Sequence, residues 1–403
     1  MAWIEWRGDK RKTNVIHLLT RLPLPYQRTL CAALSEAYDG RFVAWFAARQ
    51  SGEFPFESSP QVSYAERYLS DVGYQQFFKE LKADPDAVVI LGGWSSPMTK
   101  KVLAVTTLLR VPVFIWADHP YPRDRTLVRA ESRKLYLRMV AGLASGFLAC
   151  GAPTVEHLVS LGIERKRIAN FPYWVEIPRE WSVPLRCLDE QAATRALRLV
   201  CIGRHVRVKQ FEIAIEAVAL ANTKAGGELL ELVLIGDGPE RAALEDRVRA
   251  VGCESSVKFT GWLESNAVYA ELSNADALVV TSKFEPYSVV VLEAMAAGRA
   301  VLAAEGVVAA RDRDEGTGAI QFHPNGDVEC LADQIAALAL DREALRRASI
   351  AARATAEKWP PRRAGEILEQ ALEKSKDGSI RRSDGEAYDG EVNPAIQSKK
   401  ARA

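Results

Sequence analysis

The chain has 403 residues, 48% of them hydrophobic, and a formal net charge of +1. That length suffices for two domains with separate cores, and the composition excludes a fibrous or disordered chain and any whole-molecule drive toward nucleic acid. No apolar stretch reaches the roughly 18–20 residues of a membrane span, the first residues carry no apolar leader, and the six cysteines show no CxxC spacing, so a cytoplasmic protein with reduced thiols is expected.

In chain order, Val15–Leu19 reads as a strand, 22–26 as a loop, and Leu30, Leu34 and Ala37 mark a helix. Phe42–Phe46 is a second strand, 50–60 a loop, and 68–81 a helix. Val88–Leu91 runs into Gly92 and Gly93, a strand entering a glycine turn. A helix over 99–109, a strand over Val113–Trp116 and another over Phe147–Cys150 follow. A helix through Glu156 and Leu161 and the segment 168–175 complete the first half. Strands alternating with helices at this spacing predict a parallel α/β sheet.

Residues 176–195, with Pro178, Pro184 and mixed charge, break the rhythm and read as a linker. The alternation then restarts with strands over 197–202, 231–235, 257–259, 277–280, 300–303 and 319–322. Helices follow over 333–340 and 342–356, and a last helix begins at Pro360 and Pro361. Beyond Lys376 apolar residues nearly vanish, and a disordered tail is expected. The expected division is therefore 1–175, a linker over 176–195, a second domain over 196–358, a C-terminal helix over 359–375, and the tail over 376–403. Two Rossmann-like halves place the ligand cleft between them, at the carboxyl ends of the strands.

The most informative stretch is Ser282-Lys-Phe-Glu285-Pro-Tyr-Ser288, followed by an apolar helix carrying Glu293 and stopped by Gly298. One carboxylate sits at a strand end and another inside the helix, with free backbone N–H groups between them. A helix mouth attracts anions, and the carboxylates accept hydrogen bonds from hydroxyls. A nucleotide sugar, which carries both phosphate and polyol, suits that combination. Gly236-Asp-Gly-Pro239 lacks the third glycine of a dinucleotide fingerprint, where Arg241 stands, which argues against NAD chemistry. The triplets Asp84-Pro-Asp86 and Asp312-Arg-Asp314 are expected in surface turns, and no His/Cys ligand cluster is present.

Five pieces in order carry a resemblance: Ile202-Gly-Arg204 followed by Lys209, Val233-Leu-Ile-Gly236-Asp-Gly-Pro239, Val257-Lys-Phe-Thr-Gly261, Ala275-Asp276, and Glu285 with seven residues before Glu293. In these the second half resembles the C-terminal domain of the retaining nucleotide-sugar glycosyltransferases of glycosyltransferase family 4 (glycosyl transferases group 1). The first half is similar more loosely, through Gly151-Ala-Pro-Thr, Leu161-Gly-Ile163 and Pro172-Tyr-Trp-Val175. The resemblance implies the GT-B fold, two Rossmann-like domains facing across a cleft, and metal-independent transfer of a hexose to a hydroxyl with retention.

It further implies that Arg204 and Lys209 hold the leaving diphosphate, which needs cationic neutralisation as its charge grows. Glu285 would orient the donor sugar and Glu293 the ribose. Gly203 and the backbone at Ser288 and Val289 would cradle phosphate, while Gly261, Trp262 and Leu263 would frame the base. For Trp262 ordinary packing is an equal alternative. A histidine near the end of the strand 113–116 often contacts the sugar in the family; Asp118 or His119 would fill that role here. The family's glycines in the first loop are absent from the segment Arg21–Tyr26, and Gly92-Gly93 offers another close-approach turn.

Arg123, Arg125, Arg129, Arg133, Lys134 and Arg138, interleaved with Leu127, Val128, Leu135, Leu137 and Met139, suit either a basic amphipathic helix against an anionic lipid surface or a solvated face. The expected donor is a UDP- or GDP-sugar, with no cofactor, and the acceptor a sugar or lipid-linked glycan of cell-surface polysaccharide synthesis. A GT-B nucleotide-sugar epimerase and a non-catalytic nucleotide-sugar-binding protein are the alternatives.

Overall fold

Strands buried on both faces need unbroken apolar runs, and the chain supplies two sets of them. The computed structural model describes residues 14–49, 62–121, 127–176, 195–226 and 230–376. The expected tail, almost all of the expected linker, and the side chains of Arg123, Arg125 and Arg129 lie outside the described residues.

The first sheet contains β1 (Val15–Thr20), β2 (Phe42–Phe46), β3 (Ala65–Tyr68), β4 (Ala87–Gly92), β5 (Val113–Ala117), β6 (Gly146–Ala149) and β7 (Ile168–Asn170). All pair in parallel, in the order β3-β2-β1-β4-β5-β6-β7. Its helices are α1 (Pro25–Ala37), α2 (Leu69–Ala83), α3 (Pro97–Leu109), α4 (Leu127–Leu143) and α5 (Ala152–Ser160). Local chemistry sets their ends. Pro25 opens α1, so the helix begins inside the expected loop over 22–26. Ser96 caps α3 by accepting from the Thr99 amide at 3.1 Å.

Two features of this half depart from expectation. Ala65–Tyr68 forms an edge strand that lacks an apolar run; Glu66 on it pairs with Arg28 of α1 at 2.9 Å. The helix expected over 68–81 follows it and is broken at Gly73, which has φ +70°.

The second sheet contains β8 (Leu197–Ile202), β9 (Leu230–Ile235), β10 (Val257–Gly261), β11 (Ala277–Val280), β12 (Ala300–Ala304) and β13 (Ile320–His323), in the parallel order β10-β9-β8-β11-β12-β13. Its helices are α6 (Phe211–Ala225), α7 (Arg241–Val251), α8 (Ser265–Asn274), α9 (Val289–Ala296), α10 (Val308–Arg313), α11 (Val328–Leu340) and α12 (Arg342–Glu357). Asp327 starts α11 earlier than expected by accepting from the Cys330 amide at 2.9 Å. A final helix, α13 (Arg363–Lys376), leaves the second half and packs on α1 and β7 of the first.

The short helix α10 was not expected, and it corrects the reading of Asp312-Arg-Asp314 as a surface turn. The Asp312 and Arg313 side chains are 1% and 3% exposed. Asp84 and Asp86 do form an exposed turn, in which Asp84 accepts from the Asp86 amide at 3.0 Å.

In both sheets the strand order reverses beside the first strand, between β1 and β4 and between β8 and β11. Ligands of open α/β sheets bind in the crevice at such a switch point. This places Thr20, Gly92 and Gly93 at one crevice, and Gly203, Ser282 and Glu285 at the other.

Candidate active site

The second crevice is built from three loops, two of which could not approach each other without glycine. Gly203, at the end of β8, donates its amide to Ile235 O at 2.9 Å, and His205 donates to Asp237 O at 2.9 Å. Gly236 has φ +121°, and a Cβ there would lie 2.1 Å from Gly203 O. Glycine is therefore required where these strand ends cross.

The chain then makes a short 3-10 turn over Arg207–Lys209. Lys283 N donates to Val208 O at 2.9 Å, and the Thr281 hydroxyl donates to Lys209 O at 2.8 Å. These bonds bring Lys209 against the end of β11. There its ammonium donates to Glu285 Oε2, and the Ser282 hydroxyl donates to the same oxygen at 3.3 Å. Both side chains are mostly enclosed, with exposures of 19% for Lys209 and 17% for Glu285. The Glu285 backbone is held in turn by Gly306 O and the Val308 amide, at 3.1 and 3.2 Å.

Ser288 occupies the N-cap of α9, but its hydroxyl makes no capping bond. The first-turn amides at Val289 therefore lack a side-chain cap, which suits an anion. Glu293 sits one turn further along. Burial raises its carboxyl pKa to about 7, and a hydrogen bond from Tyr269 opposes that rise. Tyr269 was not anticipated; it lies on α8, and only the fold brings it to Glu293.

Arg204 is exposed at the mouth of the crevice, and Arg207 is exposed beside it, as a solvated residue would be. Gly261, at φ +73°, ends β10 and turns the chain into Trp262. Trp262 is 49% exposed, while Leu263 packs on the core. His205, adjacent to Arg204, is fully buried between Phe211 and Phe259, and its pKa is lowered by burial.

The first crevice opens into a cavity of about 680 Å³. Arg21, Gly93, Trp94, Asp118, His119 and Tyr121 line it, and Pro286 of the second half closes one side. Gly92 packs against Thr20, and Gly93 has φ +77°. Asp118 is open to the cavity yet walled by protein, which raises its pKa; Tyr173 donates to it at 2.8 Å.

His119 reaches the opposite half, with its ring 5.7 Å from that of Phe284. Its Nδ1 lies 3.2 Å from Pro120 O, and burial lowers its pKa. Tyr121 also meets Phe284, at 5.0 Å, and burial and then Glu285 raise its phenol pKa. Tyr121 thus lies within electrostatic reach of Glu285. The Asp118-His119-Pro120 segment drew attention in the sequence, but nothing there singled out Tyr121. Among the described residues, no group of three or more His, Cys, Asp or Glu could hold a metal ion.

Two facing, doubly wound parallel sheets with a final helix returning to the first define the GT-B fold. HepE of Anabaena, solved in complex with UDP, superposes with a TM-score of 0.69 over 89% of this chain and 99% of its own, at 17% identity. Sucrose-phosphate synthase from Thermosynechococcus elongatus gives a TM-score of 0.65 over 90% and 98%, at 18% identity. Residues 196–341, in the second half of the chain, match the family Glycosyl transferases group 1.

Among curated relatives, the lipopolysaccharide core biosynthesis glycosyltransferase LpsD of Rhizobium meliloti is 37% identical over 160 residues. That match takes in 39% of this chain and 43% of the relative, so it covers less than half of either.

Proposed function

We propose that the protein is a glycosyltransferase that moves a hexose from a nucleotide diphosphate sugar to a hydroxyl acceptor, with retention and without a metal ion. The observation that carries this reading is the Lys209–Glu285 pair, held at the mouth of the uncapped helix α9 in the crevice of the second sheet. The family match over that half and the UDP bound to HepE support it.

In the reaction, the anomeric carbon–phosphate oxygen bond breaks and an anomeric carbon–acceptor oxygen bond forms. The acceptor proton passes to the departing phosphate. Lys209, Arg204 and the α9 amides at Ser288 and Val289 offset the charge that grows on the diphosphate, the role a metal ion fills elsewhere. Glu285 accepts from the sugar hydroxyls. Because Lys209 and Ser282 already engage its carboxylate, it is a poor nucleophile, which favours attack on the face the diphosphate leaves. Glu293 accepts from the ribose, and Trp262 and Leu263 with Gly261 frame the base. Gly203 allows the backbone to approach the phosphates.

The acceptor enters the cavity at Asp118 and His119. His119 is better placed than Asp118 to meet the donor, since it already touches the opposite half while Asp118 is bonded to Tyr173 within its own. The naming of LpsD as a lipopolysaccharide core enzyme supports a sugar or lipid-linked glycan as acceptor.

Peripheral contact at the cytoplasmic face of a membrane belongs to the same reading. Leu135, Met139 and Leu143 are exposed at successive turns of α4, with exposed Lys134 and Arg138 beside them. No helix among the described residues is long and apolar enough to cross a membrane.

A thermal-shift screen with UDP-, GDP- and ADP-sugars tests the donor, because a ligand bound only by the native state raises apparent stability. Stabilisation by one nucleotide series, unaffected by EDTA, is the expected result. A shift with no nucleotide, or only with a divalent ion present, would overturn it.

A further inference from the structure

We propose that Asp312 is the pivot that joins the two domains, and a positioning residue for Glu285. Its buried carboxylate collects donors from both sides of the cleft. From the first domain come the Ala152 amide, the first residue of α5, at 2.6 Å, and Asn170 Nδ2, at the end of β7, at 3.4 Å. From the second come the Tyr287 hydroxyl at 2.8 Å and, as an ion pair, Arg313 at 3.2 Å.

The packing around it is equally close. Gly151 has φ +86°, and a Cβ there would lie 2.9 Å from the Tyr287 ring and 3.1 Å from Asp312 Cγ. Tyr173 meets the Tyr287 ring edge-on at 5.3 Å. Arg313 lies over the Trp359 ring at 3.9 Å, just before α13 returns to the first domain.

Pulling the domains apart here would break the Ala152 and Asn170 bonds to Asp312, whereas rotation about it keeps them. The cleft is therefore hinged at Asp312, with closure occurring by rotation about this point. Tyr287 transmits the joint to chemistry, because it stands two residues after Glu285 and one before Ser288 at the start of α9.

The kinetic part of this inference rests on the proposed glycosyl transfer; the structural part does not. The test compares Asp312→Ala, Asp312→Asn and Gly151→Ala in the full chain by small-angle X-ray scattering, UDP binding, and release of nucleoside diphosphate from the donor. Asp312→Ala and Gly151→Ala are expected to broaden the scattering profile toward more open forms. UDP affinity should stay within about threefold of wild type, since those contacts lie in one domain, while kcat falls by about tenfold or more.

Asp312→Asn keeps the shape and one acceptor oxygen and should recover part of the loss. It also serves if the alanine variant does not fold. Scattering profiles identical to wild type in all three variants would overturn the pivot, whatever the enzyme's activity. Loss of UDP binding in step with kcat would instead show local damage to the Glu285 loop, and would overturn the positioning role.

Discussion

Lys209 and Glu285, 76 residues apart in sequence, meet in a charge-assisted hydrogen bond at the end of β11. The bond holds the lysine at the crevice floor before any ligand arrives, beside the backbone of Gly203. If a diphosphate binds there as proposed, it finds its cation already ordered, with little rotamer freedom left to lose on binding. The same bond fixes the Glu285 carboxylate, which in the proposed reaction accepts from the donor sugar.

Glu293 gives the free protein an unusual pH dependence. Its carboxyl titrates at about 7 when folded, against 4.5 for the ordinary group. The folded state thus binds more protons between those values, so this contribution is fully present below the lower pKa and is lost as pH rises through the upper one. The loss should amount to about 2 kcal/mol in urea denaturation, since the side chain keeps some contact with water. Glu293→Gln should abolish that slope. If the carboxylate accepts from the ribose, UDP should also bind more tightly at pH 8 than at pH 6, with the Glu293→Gln variant accounting for the nucleotide's own ionisation.

Gly236→Ala should destabilise the second domain severely. The added Cβ meets a rigid backbone carbonyl, Gly203 O, at 2.1 Å, and φ is +121°. A loss of about 3 kcal/mol or more in chemical denaturation is expected, or failure to accumulate as soluble protein.

Trp262→Ala separates stacking on a base from packing. At 49% exposure the ring contributes little to the core, so the melting temperature should hold. Loss of stacking should weaken nucleotide binding by about 1–3 kcal/mol in calorimetric titration.

Replacing Leu135 and Met139 by glutamate tests the membrane contact of α4. Both side chains are exposed, so folding should be unaffected. Sedimentation with vesicles containing anionic lipid should fall by about tenfold or more, and binding to neutral vesicles should be weak for both proteins.

The two sheets were legible because their strands are buried on both faces and therefore written as unbroken apolar runs such as Ala277–Val280. The edge strand Ala65–Tyr68 was not, because Glu66 and Arg67 sit where a central strand would carry apolar residues. In the site, Lys209 and Glu285 were legible from motif order, since strand ends and helix starts are local features. Tyr269, Tyr121 and Asp312 were not, because their importance arises only from partners distant in sequence. Asp312 is 160 residues from Ala152, whose amide it accepts, and no local pattern distinguishes it from a surface Asp-Arg-Asp turn.

The most direct test is the rate of nucleoside diphosphate release from the donor identified by the thermal screen, compared between wild type and Lys209→Ala at equal folded concentration. Loss of the leaving-group cation should lower kcat by about 10²–10³-fold, with a melting temperature close to wild type. Release at the wild-type rate by the folded variant would contradict the assignment of this crevice as the site of sugar transfer.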